Sequence, residues 1–288
     1  MMEERPALDE EYLRRTIEAA LAEDAAADDV TTGVLVAPDL DGKAVIVAKQ
    51  AGVIAGLPVA AAVFRAVDPA FDVFRPLVSD GARVASGAVL AEVSDAVGTI
   101  LRAERVALNF LQRLSGIATA TAQLVDAVSG LPVRILDTRK TTPGLRPLEK
   151  YAVRMGGGQN HRRSLADGIL VKDNHWRAVK AAGGDMESAV ARLREEAPGM
   201  RLEVEVTSPA EAREALAAAV DVLLLDNMSL EEMRQVVAIA RGQALTEASG
   251  GITLENVRAV AETGVDFISV GAITHSAPAL DISLELEA

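Results

Sequence analysis

From residue 133 onward, short apolar runs alternate with stretches of helical periodicity, and this alternation constrains the fold more than any other feature. The runs are VRIL at 133–136, GILV at 168–171, RLEVEV at 201–206, DVLLL at 221–225, ALTEAS at 244–249 and DFISV at 266–270. Strands that alternate with helices form parallel βα units. Six such strands fit either an irregular βα barrel or an open doubly wound sheet.

Polar residues follow or interrupt each of these predicted strands, and this favours the barrel. In βα barrels the chemistry sits at the carboxyl ends of the strands, and phosphate is often held by the loops after the last two. Those last two places are occupied here by glycine-containing loops, whose backbone N–H groups can approach an anion. The strand-end residues are Asp137, Arg139, Lys140, Lys172, Asp173, Glu203, Glu205, Asp226, Asn227, Ser249-Gly250-Gly251 and Gly271-Ala272.

The first 132 residues have a different rhythm. Apolar spacing predicts an amphipathic helix over 9–23, a strand region over 43–56 and a buried helix over 56–67. Short strands punctuated by turns are expected over 71–101, followed by a long helix over 102–128 that ends at Gly130-Leu131-Pro132.

Composition excludes several classes of function. A net charge of −13 disfavours binding to nucleic-acid phosphates or anionic membranes, and the absence of cysteine excludes disulfides, thiol nucleophiles and Cys-ligated zinc. The chain has no GxGxxG fingerprint and no GxxxxGK[ST] loop. The acidic first ten residues show no apolar signal segment, so a cytoplasmic protein is expected.

One segment, 134–177, is strongly basic, with ten Lys or Arg residues against four acids. It contains the loop MGGGQNHRRS, in which three glycines precede His161 and Arg162. The glycines either end a helix or form an anion loop, and both interpretations stay open. Basic residues at helical spacing in the same segment favour a solvent-exposed helix face; they are Arg146, Lys150 and Arg154.

The remaining candidate residues are acids and histidines. Glu203, Glu205 and Asp226 are the acids identified in or after the strands, and they fit either salt bridges or a magnesium or hydroxyl site. Histidine spacing matches no zinc signature. The sequence context of His161, next to Arg162, favours a functional role, whereas that of His175 favours a structural role. For His275 both roles remain open. Together these residues indicate a barrel mouth for a substrate with several negative charges, at least one of them a phosphate.

Longer motifs add a specific resemblance. The segment 137–175, DTRKTTPGLRPLEKYAVRMGGGQNHRRSLADGILVKDNH, closely resembles the core of the quinolinate phosphoribosyltransferase family. AERVALNFLQRLSGIAT, EVEVTS, LLLDNM, ASGGI and GVDFISVGAITHSAPALDISLEL are similar to that family in the same order, so the resemblance spans nearly the whole chain. One departure is Asp28, where the family usually has glycine, and it concerns an N-terminal turn.

The resemblance implies an α/β fold with three parts. These are an N-terminal α/β sandwich over 1–115, an incomplete, irregular βα barrel over 116–275, and a tail over 276–288 that packs back on the first domain. It also implies a homodimer with an active site shared between subunits, and leaves open whether dimers assemble further.

The resemblance further implies that quinolinate and phosphoribosyl pyrophosphate are converted to nicotinate mononucleotide, pyrophosphate and CO2 in NAD synthesis, with Mg²⁺. By motif position, the residues implied to hold the quinolinate carboxylates are Arg105, Arg139, His161, Arg162 and Lys172. Those implied for the phosphoribosyl side are Lys140, Glu205, Asp226, Ser249, Gly250, Gly271 and His275. Catalysis is expected from Lys140, Glu205 and Asp226, and magnesium ligation from Glu205 and Asp226.

Three alternatives differ in chemistry. A Schiff-base aldolase-type barrel would use Lys172 or Lys140. A related protein of the same fold associated with molybdenum transport would share the motifs, and a non-catalytic anion-binding protein would hold quinolinate without releasing pyrophosphate.

Overall fold

The structure is a computed structural model that describes residues 8–71 and 73–287. Its contacts divide the chain into two compact units. The first combines the chain up to Ala122 with Thr141–Gly157 and the segment from Ala272 onward, and the second contains Gln123–Lys140 and Gly158–Gly271. The domain boundaries expected at 115 and 275 stay a prediction. Among the described residues, no helix is long and apolar enough to cross a membrane.

The first unit is built on an antiparallel sheet. Its strands are β1 (Asp41–Ala48), β3 (Val73–Pro76), β5 (Val89–Ala96) and β12 (Ile282–Glu287), in the order β12-β1-β5-β3. A separate ribbon pairs β2 (Gly52–Val53) with β4 (Arg83–Val84). The core of this unit is aliphatic, with Phe64 packed against Phe71 and Phe74 at centroid distances of 5.2 and 5.8 Å.

Six α-helices lie wholly or mainly in this unit. They are α1 (Glu10–Glu23), α2 (Val30–Leu35), α3 (Leu57–Val67), α4 (Val97–Ala127), α5 (Arg146–Met155) and α11 (Ala272–His275). The prediction of α1 is confirmed, and Asp9 caps its N-terminus by accepting a hydrogen bond from the Tyr12 amide. A 3₁₀ turn covers Ala26–Asp28, and Asp28 has no positive φ, so the glycine usual in the family is not required there.

The predicted start of the long helix was wrong by five residues. The sequence predicts short strands over 71–101 with a turn at Gly98, but α4 begins at Val97. Val97 and Ile100 are buried, and their burial overrides the weak local helix preference of the segment. The solvent-exposed face predicted for 146–154 was also wrong, because Lys150 in α5 is only 2% exposed.

The second unit is a six-stranded parallel sheet, as predicted. Its strands are β6 (Arg134–Leu136), β7 (Ile169–Val171), β8 (Leu202–Val206), β9 (Val222–Asp226), β10 (Leu245–Ser249) and β11 (Phe267–Ser269). Helices follow most of them: α6 (Asp173–Ala181), α7 (Met186–Glu196), α8 (Pro209–Ala217), α9 (Leu230–Ala240) and α10 (Val257–Ala261). All five strand pairings are parallel.

The strand order β6-β11-β10-β9-β8-β7 makes this sheet an incomplete βα barrel. The last strand, β11, pairs with the first, β6, so the sheet curls back on itself. The ends of the order are β6 and β7, and a single parallel bridge between Leu136 and Gln159 extends the β6 side. The open doubly wound sheet is therefore excluded, and the incomplete barrel is confirmed.

Candidate active site at the barrel mouth

Strand register places the candidate side chains of the second unit at matching heights. Glu205 of β8 lies level with Leu224 of β9, which lies level with Glu247 of β10. Two residues further toward the carboxyl ends of the strands, Asp226 lies level with Ser249. Registered residues of parallel strands point to the same face, so four candidate polar residues share one face of the sheet near its carboxyl end.

A buried cluster lies among them. Nε2 of His161 is 3.0 Å from Oε2 of Glu203 and 3.7 Å from Oε1 of Glu247. Among the described residues, this is the one group of three or more His, Asp or Glu whose candidate ligand atoms lie within 4.8 Å of one another. The list of strand acids drawn from the sequence was therefore incomplete, because Glu247 lies inside ALTEAS and its inward direction follows only from register with β9.

Burial raises the pKa of Glu247 to about 7, and the neighbouring Glu203 carboxylate adds to the rise. Two carboxylates in a low-dielectric site repel each other, so the cluster favours retention of a proton. The Nδ1 atom of His161 accepts a 2.7 Å hydrogen bond from the Arg162 amide. Its proton therefore resides on Nε2, which donates to Glu203, and that nitrogen offers no lone pair to a metal.

Asp137 fixes the backbone next to this cluster. Its buried carboxylate accepts hydrogen bonds from the Asn160 side chain at 2.6 Å and from the His161 amide at 2.8 Å. Asp137 was expected only as one of the polar residues after the first barrel strand. It anchors the loop that follows the glycine run, which makes it a structural support of the site.

Two arginines lie close together beside the cluster. Arg139 follows β6, and Arg162 donates from Nη1 to the Gly168 carbonyl at 2.9 Å. Both are half-buried. Burial and then the adjacent Arg139 guanidinium hold the pKa of Arg162 below its ordinary value, and Glu203 opposes that shift. Two arginine side chains on neighbouring loops suit a ligand with two negative groups, so the pair indicates an anion site.

Lys172 directly follows β7, whose last residue, Val171, pairs with Val204 of β8. Its ammonium donates to Oε2 of Glu205 at 3.2 Å, and the Asp173 amide donates to Oε1 at 3.4 Å. Half of the Lys172 side chain is exposed, whereas Glu205 is 9% exposed. The Lys172 ammonium is exposed to water and paired with a carboxylate that two hydrogen bonds hold in place. This arrangement suits binding of a charged ligand better than Schiff-base chemistry, which needs a lysine that loses its proton readily.

The ends of β9 and β10 pack tightly. Asn227 adopts a left-handed conformation with φ of 53°, and its amide donates to the Ser249 carbonyl at 2.9 Å. Gly250 has φ of 91°, and a Cβ there would lie 2.3 Å from Oδ1 of Asn227. Glycine is required at this position because its φ is positive and because a Cβ would clash with the Asn227 side chain. The helices behind the two glycine loops, α10 and α11, have only five and four residues, so the expected helix-dipole contribution is small.

The glycine run after α5 has a structural explanation. Gly156 caps the helix, and a Cβ at this residue would lie 2.4 Å from the Ala118 carbonyl oxygen. Gly157 has φ of 86°. The helix-ending interpretation of the run is therefore supported at both positions, and the anion-binding residues begin beyond it.

The remaining predicted residues are distributed between the units. Arg105 on α4 and His275 on α11 belong to the first unit and are exposed. Nδ1 of His275 lies 2.6 Å from the Ser276 hydroxyl. Lys140 and Gly271 belong to the second unit. Lys140 is exposed, and its amide donates to the Thr138 hydroxyl at 3.0 Å.

An incomplete βα barrel with paired arginines, a lysine and buried carboxylates at its mouth defines a class of barrel proteins that handle anions. Family models agree in detail: the quinolinate phosphoribosyl transferase N-terminal domain matches residues 29–115, and the C-terminal domain of the same name matches residues 117–285. The chain belongs to the quinolinate phosphoribosyltransferase family.

Individual relatives span most of the chain. A probable nicotinate-nucleotide pyrophosphorylase [carboxylating] of Synechocystis is 46% identical over 250 residues, covering 85% of this chain and 83% of the relative. The Mycobacterium leprae nicotinate-nucleotide pyrophosphorylase [carboxylating] is 44% identical, and the match covers 95% of this chain and 96% of the relative. The nicotinate-nucleotide pyrophosphorylase structure from Francisella tularensis has a TM-score of 0.92 at 39% identity and covers 100% of both chains.

Proposed function

We propose that this protein transfers the phosphoribosyl group of 5-phosphoribosyl 1-pyrophosphate to quinolinate with decarboxylation, yielding nicotinate mononucleotide, pyrophosphate and CO2 in NAD biosynthesis. The observation that carries the proposal is the half-buried pair Arg139 and Arg162 beside the buried carboxylates of the barrel mouth. The relatives described above are named for this activity.

Quinolinate is a planar dicarboxylate, and arginine forks bind planar carboxylates through two parallel hydrogen bonds. In the proposed site Arg139 and Arg162 bind the two carboxylates, Lys172 adds a point charge, and His161 lies at their base. Support comes from the proximity of the two guanidiniums, because Arg139 is close enough to lower the pKa of Arg162.

The phosphoribosyl side is proposed to use the residues at the strand ends of β8 to β11. Lys140 stabilises the charge of the departing pyrophosphate, while Glu205 and Asp226 bind ribose hydroxyls and favour the cationic character of the sugar. Ser249, Gly250, Gly271 and His275 are proposed to contact the phosphate. The matching heights of Asp226 and Ser249 support a common ligand across β9 and β10.

Magnesium fits this donor set. Mg²⁺ is usually held by one or two carboxylates together with substrate phosphates, and Glu205 and Asp226 provide two carboxylates on one face of neighbouring strands. When bound with the pyrophosphate group, the ion would supply charge neutralisation for the leaving group. Glu205 also accepts from Lys172, which keeps its carboxylate directed toward the mouth.

In the proposed reaction the quinolinate nitrogen forms a bond to ribose C1 as the bond to pyrophosphate breaks. The pyridinium ring then accepts the electron pair released when the C2 carboxylate leaves as CO2, and C2 takes up a proton. The residues of this chain bind and orient the two anions and exclude water, which lowers the entropic cost of the first step.

A homodimer with a shared active site is part of the proposal, with Arg105 reaching the site of the partner subunit. Exposure of Arg105 on α4 supports this arrangement. The cytoplasmic location expected from the sequence stays a prediction.

A stoichiometric assay tests the proposed function. The protein, supplied with quinolinate, phosphoribosyl pyrophosphate and Mg²⁺, is expected to release one pyrophosphate and one CO2 for each quinolinate consumed. Lys172→Ala is expected to abolish most of the turnover, whereas Lys180→Ala, an exposed lysine on α6, serves as the matched control and retains it.

Phthalate provides a second test because it has both carboxylates of quinolinate but no ring nitrogen. It is expected to inhibit competitively against quinolinate and to give no product. Folded protein that releases no pyrophosphate when supplied with quinolinate, phosphoribosyl pyrophosphate and Mg²⁺ would overturn the proposed function. Turnover of quinolinate without inhibition by phthalate would instead contradict the dicarboxylate site.

A further inference from the structure

Both ring nitrogens of His161 are engaged within the second unit. Nδ1 accepts from the Arg162 amide at 2.7 Å, and Nε2 donates to Oε2 of Glu203 at 3.0 Å. The side chain of His161 is 15% exposed. A histidine held in this way is directed inward, so in this conformation its N–H is already committed to Glu203 instead of a ligand carboxylate.

Glu203 lies below the mouth, two residues before Glu205 on the same face of β8. Its side chain is 7% exposed. Oε2 accepts the His161 proton, while Oε1 is buried and has no hydrogen-bond partner. A buried carboxylate with one unsatisfied oxygen is costly, and nothing in the proposed reaction uses it directly. Because burying the Glu203 carboxylate is unfavourable, we expect this residue to have a function, and its hydrogen bond to His161 indicates that the function is exerted through that histidine.

The backbone around His161 is fixed from the other side. Asp137 accepts from the Asn160 side chain and from the His161 amide, and Arg162 donates to the Gly168 carbonyl. The segment 160–162 is thus held at Asn160 and the His161 amide by Asp137, which follows β6, and at the imidazole ring by Glu203 of β8. The Arg162 backbone is linked to the ring, because Nδ1 of His161 accepts from the amide of Arg162 itself.

We propose that Glu203 is a positioning residue of the dicarboxylate site: by holding the imidazole of His161 it fixes the Arg162 backbone and keeps the Arg162 guanidinium beside Arg139. Glu247 lies 3.7 Å from the same ring nitrogen, further away than Glu203 at 3.0 Å. This inference rests on the proposed function, since it assigns the arginine pair to quinolinate.

Substitution of Glu203 tests the role through binding as well as turnover. Glu203→Ala removes the acceptor, and phthalate binding measured by calorimetry is expected to weaken about tenfold to a hundredfold, the range for a lost hydrogen bond to a charged group. KM for quinolinate rises by a similar factor, while kcat and the KM for phosphoribosyl pyrophosphate change little. Glu203→Gln keeps an acceptor oxygen and is expected to restore most of the affinity.

A double-mutant cycle distinguishes action through His161 from a direct effect. In a His161→Ala background, Glu203→Ala is expected to have almost no further effect on the phthalate dissociation constant, because the attachment is already broken. Additive losses in the double variant would show that Glu203 acts independently of the ring and would overturn the proposal.

A stability control comes from the neighbouring strand. Thr246 in β10 is 2% exposed, and its hydroxyl donates to Asp266 at 2.9 Å. Thr246→Val therefore removes a buried hydrogen bond elsewhere in the unit, and is expected to lower the unfolding temperature with phthalate affinity unchanged. If Thr246→Val weakens phthalate binding as much as Glu203→Ala, the role of Glu203 is only structural.

The outcomes separate this inference from the proposed function. If wild-type protein binds phthalate and releases pyrophosphate, but Glu203→Ala binds phthalate with wild-type affinity, the positioning role alone is wrong. If wild-type protein neither binds quinolinate or phthalate nor releases pyrophosphate, the proposed function itself is wrong, and the inference is rejected with it.

Discussion

At the scale of single residues, the two glutamates that lie level across the barrel sheet differ by environment. Glu205 accepts a 3.2 Å hydrogen bond from the partly exposed Lys172. Glu247 is 3% exposed and faces another carboxylate, so its pKa rises to about 7. Because Glu205 has a cationic neighbour near the surface, whereas burial penalises the charged form of Glu247, the same residue type suits ligand binding at Glu205 and support of the interior at Glu247.

Loss of charge at the mouth is expected to reduce the catalytic rate constant. Lys140→Ala and Glu205→Ala each remove stabilisation of charge that develops as pyrophosphate departs, and kcat should fall on the order of 10²–10³-fold. Steady-state kinetics with both substrates measures the effect, with Lys180→Ala as the control for a lost surface lysine. Near-normal kcat in either folded variant would refute the role assigned to that residue.

Neutralising Glu247 is expected to stabilise the protein at alkaline pH. The unfolded chain ionises this carboxyl near pH 4.5 and the folded protein near 7, so stability falls as pH rises between those values. Glu247→Gln removes this loss, on the order of 2–3 kcal/mol at pH 8 and much less at pH 5.

Denaturant unfolding of wild type and Glu247→Gln at both pH values checks this prediction. Glu231→Gln, whose side chain is 72% exposed on α9, is the control and should show no such pH-dependent gain. An equal stability difference at pH 5 and pH 8 would contradict the raised pKa.

The sequence predicted the outer residues of the site better than the inner ones. Arg139, Lys172 and Glu205 follow from their places at strand ends, where parallel strands bring side chains together. Glu247 and the anchoring role of Asp137 depend on strand register and on a contact between residues 137 and 161. Periodicity contains no information about either, so these two roles require the folded structure.

At the scale of elements, the long helix α4 is shaped by the chain that crosses it. The Leu280 amide donates to the Gln112 carbonyl, and the Gln112 side chain donates to the Ile282 carbonyl. One turn further along α4, Gly116 allows close approach, because a Cβ there would lie 2.0 Å from the Pro278 carbonyl oxygen. The glycine weakens the helix locally but permits the segment 278–282 to pack directly on the helix backbone.

Two glycines of α4 provide a matched pair for testing that packing. Gly116→Ala is expected to displace the segment around Pro278 and to destabilise the protein by about 1–3 kcal/mol, the usual cost of overpacking. In Gly98→Ala the added methyl group would contact only Cγ2 of Thr32, at 3.6 Å, which is an ordinary van der Waals distance. This substitution should leave stability unchanged or raise it by up to about 1 kcal/mol.

Thermal and denaturant unfolding of both variants measure the difference. Equal stability of Gly116→Ala and wild type would show that the segment moves aside without cost, which would contradict the close packing described here.

The elements of the barrel were the most predictable part of the fold. All six strands were expected within one or two residues of their observed bounds, because short apolar runs between helices leave few alternatives. The start of α4 and the burial of Lys150 were not predicted. In both cases tertiary contacts determine the outcome. Ile100 is buried in the core as part of a helix although the local helix preference is weak, and Lys150 is buried although its sequence spacing is typical of a solvent-exposed helix face.

At the scale of the whole molecule, Arg105 gives a test of subunit sharing. It is exposed on the first unit, whereas Arg139, Arg162 and Lys172 belong to the second. If Arg105 completes the site of a partner subunit, Arg105→Ala and Lys172→Ala are each nearly inactive alone. After random subunit exchange half of the dimers are hybrids, each with one intact site, and activity should return to about a quarter of wild type.

Hybrid formation is verified with differently tagged subunits, and each variant exchanged with itself serves as the control. Verified hybrids that recover no activity would exclude the action of Arg105 in the partner site.

Strand order also has a consequence for how the protein is made. In both sheets an early strand pairs with a late one: β1 with β12, and β6 with β11. A ribosome that adds residues one at a time exposes one edge of β1 and one edge of β6 long before β12 and β11 exist, so neither sheet can be completed until the end of the chain has been made. Until residues 267–287 have emerged, each nascent sheet has an open edge that a chaperone or another chain can occupy.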